Sequence, residues 1–324
     1  MTATPEVSVV IATRNRWSLL SRHGLPSALG QEGVELEVIV VDDASDDETP
    51  ARLEELGDPR VRVETHEAPR GQAAGRNTGV RAARTEWVAF LDDDDLWSPQ
   101  KLRLQLDAAR DAGADWVYGE AVVIDADTTV LEGHPFPAPE DVEDLLLSGG
   151  NFIPGGGSNV VVRTELIREL GGFDETLPYF TDWDMWLRVA RKGKPAVCQQ
   201  VVVARLEHGN NMLFRDQPDV VDAFVRLMEK HRRVTREDRL AVAEWMAYEH
   251  YRAGRRLAAS RLYLAAAVEY RSLGNVPASV GVLFGARGMR AASAFLRRVR
   301  GATHLEETQP APPPPEPAWL GRYR

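Results

Sequence analysis

Four consecutive aspartates, Asp92 to Asp95, follow an apolar run that ends at Leu91. Adjacent carboxylates repel one another, so the run costs free energy unless water, a cation or a helix end relieves it. Alternate residues on a tight turn can direct their carboxylates to a common point, whereas immediate neighbours diverge. Asp92 and Asp94 have this relation, as do the other two aspartates. Such a pair suits a hard divalent cation that also binds substrate phosphates, so the run predicts a Mg²⁺ or Mn²⁺ site with its register open.

Helix capping is an alternative use for these acids, because carboxylates favour helix N-termini. Ser98 and Pro99 already predict an N-cap and a first turn for the helix that follows the run. A second acidic pair, Asp42 and Asp43, lies in an equivalent place after an earlier apolar run. The next helix has its own candidate caps, namely Ser45, Asp46 and Asp47. Capping therefore explains too little of either acidic cluster.

Other motifs that bind ions or phosphates are broken or missing. An EF-hand loop starting at Asp92 is excluded, because Trp97 stands where the motif requires glycine and Arg103 where it requires glutamate. A solvated acidic loop remains the alternative to a metal site. The first apolar run ends in ATRNR, which contains neither G-x-G-x-x-G nor G-x-x-x-x-G-K-[ST]. This absence disfavours NAD-binding Rossmann enzymes and P-loop NTPases, so a diphosphate here would be held by metal.

The elements that position these acids alternate over the first 125 residues. Near-continuous apolar strands separated by helices indicate a parallel sheet covered on both faces, which predicts an α/β domain of the nucleotide-binding type. In such sheets ligands bind beyond the carboxyl ends of the strands, where both acidic clusters lie. The predicted strands are 7–12, 36–41, 61–64, 87–91 and 116–124. The predicted helices are 17–29, 48–56, 73–83 and 99–112.

The pattern changes in the second part of the chain. Proline and glycine cluster near 134–141 and 149–159, which predicts irregular loops. Helices are predicted at 164–170 and 183–192, a strand at 196–206, and helices throughout 217–299. The proline-rich end cannot form a packed core, so it is predicted to be flexible, with Trp319 and Tyr323 available to dock on a partner.

The composition is that of a soluble globular protein. The chain has 324 residues, 44% hydrophobic and 27% charged, enough to bury a substantial core. A formal net charge of -10 disfavours a nucleic-acid partner. A single cysteine, Cys198, excludes an internal disulfide and fits a reducing compartment. No signal peptide or long apolar span is apparent, so we expect a cytoplasmic protein.

Five segments, in order and spacing, resemble the family 2 glycosyltransferases of GT-A fold. They are VSVVIATRNR, VIVVDDASDDET, GQAAGRNTGVRAA, WVAFLDDDDLWSPQKL and FDETLPYFTDWDMWLRVARKG, within about residues 6–209. The resemblance implies a Rossmann-like, mostly parallel sheet flanked by helices, with a helical C-terminal extension. The implied organisation is a nucleotide-sugar half at 1–125, an acceptor half of the same domain at 126–215, helices at 216–300 and a flexible tail at 301–324.

The resemblance implies donor-binding roles in the first half of the chain. Asp43 matches an aspartate that accepts a hydrogen bond from the ring N–H of the base, and Arg76 matches a basic residue near the nucleotide. Asp92 and Asp94 match the D-x-D motif, the first near the ribose and the second on the metal. The two remaining aspartates are assigned the roles of their neighbours, so Asp93 is expected to contact the nucleotide and Asp95 the metal. The end of the first strand is implied to contact the nucleoside through Ala12, Thr13 and Arg14.

Acceptor-side roles are implied in the second half. Asp182 matches the catalytic base, although Thr181 replaces the glutamate that usually precedes it. Capping of the following helix is the alternative role for Asp182, and Asp184 is the weaker candidate for the base. His208 matches a histidine near the pyrophosphate and the metal, and a structural role is its alternative. The implied acceptor and sugar cleft comprises Gly156, Gly157, Ser158, Asn159, Trp183 and Asp184.

The implied reaction is an inverting, Mg²⁺- or Mn²⁺-dependent glycosyl transfer from a nucleotide-diphosphate sugar to a hydroxyl group. A UDP-sugar is the expected donor, although thymine and guanine also offer a ring N–H. The expected acceptors are a saccharide, a lipid-linked glycan, a natural product or a peptide. The C-terminal helices are candidates for a homodimer contact or for peripheral contact with the inner membrane face. Two alternatives are a sugar-1-phosphate nucleotidyltransferase, which would need the missing glycine signature, and a non-catalytic sugar-nucleotide binder or scaffold.

Overall fold

The computed structural model describes residues 4–148, 153–208, 220–252, 254–272, 274–300 and 314–324. The chain forms two compact units. The first combines Met1–Glu207 with Pro313–Arg324, and the second is His208–Pro312.

The first unit is built on one mixed sheet. Its described strands are β1 Val7–Thr13, β2 Leu36–Asp42, β3 Val61–Thr65, β4 Trp87–Phe90, β5 Leu96–Trp97, β6 Trp116–Ile124, β7 Val130–His134, β8 Val161–Arg163 and β9 Pro195–Leu206. The strand order is β3-β2-β1-β4-β8-β6-β9-β5, and β7 pairs with β6. The parallel pairs are β1 with β2 and β4, β2 with β3, and β6 with β9. The predicted parallel arrangement of the first four strands is therefore confirmed.

Three strands were not predicted, and one of them changes the topology. The sequence predicts β6 as a further strand of a parallel sheet, but β8 lies between β4 and β6 and is antiparallel to both. With three residues, β8 is too short to give a periodic signal. Likewise, β5 has two residues, and β7 is half exposed and lacks an apolar run. The sheet is mixed where the sequence alone indicated a parallel one.

Helices flank this sheet largely where the sequence predicts them, but a helix at Val142–Leu147 was not predicted and two other predictions differ. The described helices of the first unit are α1 Trp17–Leu20, α2 Gly24–Leu29, α3 Thr49–Glu55, α4 Gln72–Ala82, α5 Lys101–Ala112, α6 Val142–Leu147, α7 Thr164–Glu169 and α8 Thr181–Lys192. The single helix predicted at 17–29 is two short helices. The capping prediction for Ser98 is wrong: α5 begins at Lys101 behind Gln100, and the backbone of Ser98 bonds to Val202 and Gln31 instead. The four aspartates do not cap α5 either, because β5 lies between them and that helix.

Two glycines let α4 pack tightly on β1. A Cβ atom on Gly79 would lie 2.2 Å from Cγ1 of Val10, and one on Gly75 would lie 2.8 Å from Cβ of Ala12. Only glycine permits such an approach of helix and strand. The contact places the first turns of α4, which carry Gln72 and Arg76, at the carboxyl ends of the parallel strands.

The C-terminal end of the chain belongs to the first unit. Leu320, in a 3₁₀ helix at Ala318–Tyr323, is fully buried in a cluster with Leu96 and Leu206. Trp319 Nε1 donates to the Val201 carbonyl at 3.0 Å, and the Tyr323 hydroxyl donates to the Trp97 carbonyl at 2.9 Å. The prediction of a flexible tail is therefore wrong for 314–324, where the aromatic residues dock on the chain itself. Residues 301–313 lie outside the described part.

The second unit is helical, as predicted. Its described helices are α9 Val220–His231, α10 Arg236–Arg252, α11 Arg256–Glu269, α12 Asn275–Gly281 and α13 Gly285–Arg300. Its core is made largely of small and aromatic side chains, including Ala247, Ala259, Tyr263, Ala278 and Met289. In the described part of the chain, no helix is long and apolar enough to cross a membrane.

Candidate active site

The aspartate run forms a turn between β4 and β5, closed by a hydrogen bond of 3.2 Å from the Asp95 backbone N–H to the Asp92 carbonyl. Exposure alternates along it. The side chain of Asp92 is 33% exposed, and that of Asp94, a largely buried residue, keeps 12%, whereas that of Asp93 keeps only 3% and Asp95 is buried. This alternation favours Asp92 and Asp94 as the pair that a ligand can reach.

Asp93 is held by residues at the end of β1. Thr13 Oγ1 donates to Asp93 Oδ2 at 2.7 Å, and Arg16 contacts Asp93 Oδ1 at 2.9 Å. The same guanidinium donates to Asp94 Oδ2 at 2.5 Å. Burial raises the pKa of Asp93 to about 7 against the opposing charge of Arg16. Sequence reasoning named Arg14, which is exposed, and missed Arg16; only the fold distinguishes these two basic residues.

Asp95 is directed into the protein. Its carboxylate accepts hydrogen bonds from Ser158 Oγ at 2.5 Å and from the Leu206 backbone N–H at 3.2 Å. Ser158 Oγ also accepts the Asp92 backbone N–H at 3.1 Å. Burial raises the pKa of Asp95 well above its ordinary value. Asp95 therefore connects the aspartate turn to β9 and to the 3₁₀ helix Gly156–Asn159. Its carboxylate does not point to the side of the turn on which Asp92 and Asp94 are accessible.

The accessible pair fits a divalent cation of the Mg²⁺ or Mn²⁺ type. Carboxylate oxygens are the hard ligands that these ions prefer, and Mg²⁺ usually takes one or two protein carboxylates together with substrate phosphates. No group of three or more acidic, histidine or cysteine residues arranged to hold a metal occurs among the described residues. The donor set of Asp92 and Asp94 is thus suited to a cation shared with a phosphate ligand. His208 belongs to the second unit, and its part in metal binding stays a prediction.

Asp43 provides a buried carboxylate just after the end of β2. Its carboxylate accepts the backbone N–H groups of Arg70 and Gly71, each at 2.8 Å, and lies 2.6 Å from His66 Nδ1. Burial alone would raise the pKa of Asp43, but the bonds from His66 and the two backbone groups outweigh it and lower the pKa. Four lone-pair positions are available on a carboxylate. Three are used here, so one acceptor position on Oδ2 is left for a ligand N–H. Sequence reasoning missed His66.

Arg76 brings the two halves of the first unit together. Its guanidinium donates to Asp92 Oδ1 at 2.7 Å, and Gln72 donates to the same oxygen at 3.0 Å. A Cβ atom on Gly157 would lie 2.6 Å from Arg76 Nη2, and one on Gly156 would lie 3.0 Å from Asp182 Oδ2. The glycine backbone thus leaves the room that the arginine and the carboxylate occupy, as predicted for close backbone approach.

Asp182 lies in the first turn of α8, close to this arginine. The N-cap position of α8 is Phe180, whose φ is 61°, so Asp182 is not the cap residue. Its Oδ1 accepts the Trp183 backbone N–H at 2.9 Å. Burial raises the pKa of Asp182; the charge of Arg76 opposes this effect and that of Asp92 adds to it. A carboxylate with a raised pKa is suited to accept a proton from a hydroxyl.

Other side chains predicted to line the cleft point into the protein. Asp184 is fully buried and forms an ion pair with Arg188 at 2.7 Å. Trp183 is buried and donates to the Leu146 carbonyl at 2.9 Å. Asn159, also buried, exchanges hydrogen bonds with the backbone of Gly119. These residues, with Ser158, support the cleft rather than line it, because their polar atoms are already bonded within the fold.

Comparison with known proteins gives the following relations. A family model described as glycosyl transferase family 2 matches residues 8–171. ExoO, a succinoglycan biosynthesis protein of Rhizobium meliloti (strain 1021), is 42% identical over 161 residues, which are 50% of this chain and 44% of ExoO. WfgD of Escherichia coli, named UDP-Glc:alpha-D-GlcNAc-diphosphoundecaprenol beta-1,3-glucosyltransferase, is 31% identical over 136 residues, 42% of this chain and 52% of WfgD. The chain spans about half the length of these relatives.

A solved structure has the same fold. The mannosyltransferase PcManGT from Pyrobaculum calidifontis, in complex with GDP-Man and Mn²⁺, aligns with a TM-score of 0.54 at 20% identity, covering 93% of this chain and 89% of that chain. The predicted GT-A fold with a helical C-terminal region is confirmed.

Proposed function

Because the chain belongs to glycosyl transferase family 2, we propose that it transfers a sugar from a nucleotide-diphosphate sugar to an acceptor hydroxyl, with inversion at the anomeric carbon. One observation carries the proposal. Arg76 gathers Asp92, from the accessible acidic pair, and Asp182, from the second half of the unit, into one site. The two carboxylates lie about 90 residues apart in the sequence, one after β4 and one in α8, and their convergence at Arg76 suits a site that serves two substrates.

The donor is held at the ends of β2 and β4. The free acceptor position of Asp43 receives the ring N–H of the base, and uracil fits it. Asp92 and Asp94 hold a divalent cation together with the diphosphate. When bound, that cation supplies a Lewis acid that neutralises charge on the departing diphosphate. The donor named for WfgD is UDP-Glc, and PcManGT was solved with Mn²⁺, which supports a UDP-sugar and a divalent metal here.

Asp182 is the general base on the acceptor side. Its raised pKa suits it to take a proton from the attacking hydroxyl, while the charge of Arg76 opposes the rise in pKa and favours the carboxylate form. Direct attack by the activated hydroxyl displaces the diphosphate in one step and inverts the anomeric carbon. The acceptor named for WfgD is a sugar linked through a diphosphate to undecaprenol. A lipid-linked glycan is therefore the acceptor class that we propose for this chain.

Replacing the base tests the proposal. Asp182→Asn removes the proton acceptor and keeps the size of the side chain, so turnover should fall roughly 100- to 10,000-fold. The measurement is nucleotide release from UDP-sugars with Mn²⁺ and a diphosphate-lipid-linked GlcNAc acceptor. Thermal stabilisation by UDP and Mn²⁺ should be retained, because the proposal assigns Asp182 to the acceptor and not to the donor or the cation.

The matched control is Asp94→Asn, which should abolish the stabilisation by UDP with Mn²⁺. Undiminished turnover in Asp182→Asn would remove the assigned base. Stabilisation of the wild type by UDP and Mn²⁺ without sugar transfer to any acceptor tested would favour the non-catalytic binder.

A further inference from the structure

Exposed apolar side chains are concentrated in the second unit. All but two of the large hydrophobic side chains exposed in the described part of the chain belong to it. Large apolar residues that cluster on a surface mark an interaction site, whereas single ones are ordinary. The first unit contributes only Val63 and Leu131 to this set.

Helix α11 has its larger aliphatic side chains on the outside. Leu257, Leu264 and Val268 are 70%, 50% and 74% exposed. Together with exposed Arg261, they follow the spacing of four, three and four that defines one helix face. The opposite face buries Tyr263 and three alanines, Ala259, Ala266 and Ala267. Folding alone favours the reverse arrangement, with leucines inside.

The neighbouring helix continues this feature. α12 packs on α11, and its exposed residues include Val276 and Val280, at 43% and 54%. The short 3₁₀ turn that follows α12 exposes Phe284 at 71%. Two adjacent helices therefore each present an apolar stripe to solvent.

Positive charge is concentrated in the same part of the sequence. Residues 254–300 contain nine arginines and one carboxylate, Glu269, in a chain whose formal net charge is -10. Arg256, Arg261, Arg287 and Arg290 are exposed. Apolar stripes accompanied by positive charges match the surface of a bilayer that contains anionic lipids.

We propose that the outer face of α11 and α12, here called the apolar-arginine face and defined by Leu257, Arg261, Leu264, Val268, Val276, Val280 and Phe284, docks on an anionic lipid bilayer. A second copy of the chain is a poorer occupant. A two-fold dimer places the same patch against itself, so the charge of Arg261 would meet like charge across the interface. The inference goes beyond the proposed function and does not rest on it.

Co-sedimentation of the full chain with vesicles tests the proposal. We expect binding to vesicles of phosphatidylcholine with phosphatidylglycerol, little binding to phosphatidylcholine alone, and weaker binding as salt is added. The double variant Leu264→Ser and Val268→Ser should lower partitioning roughly tenfold, because two apolar side chains no longer enter the bilayer. The single variant Arg261→Gln should lower it about fivefold, because one positive charge of the face is lost.

Leu131→Ser is the matched control, because Leu131 is 42% exposed but belongs to the first unit. It should leave partitioning unchanged. All substituted residues are exposed, so circular dichroism and melting should match the wild type. Failure of the wild type to bind anionic vesicles overturns the proposal, and so does equal loss in Leu131→Ser. Light scattering could instead show a dimer that the double variant Leu264→Ser and Val268→Ser dissociates. That result would assign the face to a second copy of the chain and would also overturn the proposal.

Discussion

At the scale of residues, the site depends on which of several similar side chains reaches the ligand. Four adjacent aspartates divide into an accessible pair and a buried pair because the turn directs alternate side chains to opposite sides. Two arginines after β1 divide in the same way, since Arg16 contacts Asp93 and Asp94 while Arg14 is exposed. The sequence predicts the residue types, and local geometry assigns their roles.

The protonation of Asp182 should respond to the charge of Arg76. The pKa of Asp182 is raised by burial and held down by Arg76, so Arg76→Met should raise it further. A base works only when deprotonated, and its activity is lost as pH falls through its pKa. The acid limb of the rate of nucleotide release, measured at saturating donor, should therefore move to higher pH.

Arg76→Lys keeps the charge and serves as the control, and its acid limb should stay near that of the wild type. An acid limb that does not move in Arg76→Met would show that Asp182 is not the titrating base.

At the scale of elements, the position of α4 depends on the absence of side chains. A Cβ on Gly79 would lie 2.2 and 2.7 Å from the two Cγ atoms of Val10, which is buried in the sheet and cannot move aside. Gly79→Ala gains helix propensity, but we expect the overlap to dominate and lower the free energy of unfolding by about 1–3 kcal/mol. Urea unfolding checks this value.

Gly321→Ala is the control for this substitution, because a Cβ there meets nothing within 4 Å. It should leave the unfolding free energy unchanged. Equal stability of Gly79→Ala and the wild type would show that α4 can shift on β1 without cost, contrary to the close packing.

At the scale of the whole molecule, the end of the chain returns to complete the first unit. Leu320 fills a cluster with residues of β5, the strand that follows the aspartate turn, and of β9, whose Leu206 N–H bonds to Asp95. Leu320→Ala should lower the unfolding free energy by about 2–3 kcal/mol through the cavity that it leaves. Tryptophan fluorescence reports this transition, since all tryptophans but Trp245 lie in the first unit.

Arg322→Ala is the control at the same end of the chain. Its ion pair with Glu32 is solvent-exposed, so its loss should leave the free energy of unfolding nearly unchanged. If Leu320→Ala were as stable as Arg322→Ala, the docking of the C-terminal segment would contribute nothing to the first unit.

The sequence by itself determined the family, the first four strands and most helices, and it predicted site roles for Asp43, Arg76, Asp92, Asp94 and Asp182. It could do so because apolar periodicity is local and the motif order is written along the chain. The tertiary structure decided the antiparallel β8, the buried partners of Asp95 and Asp184, the approach of Asp182 to Arg76, and the docking of Leu320. These features join residues far apart in sequence, and burial and hydrogen bonding depend on which surfaces meet. No local pattern carries that information.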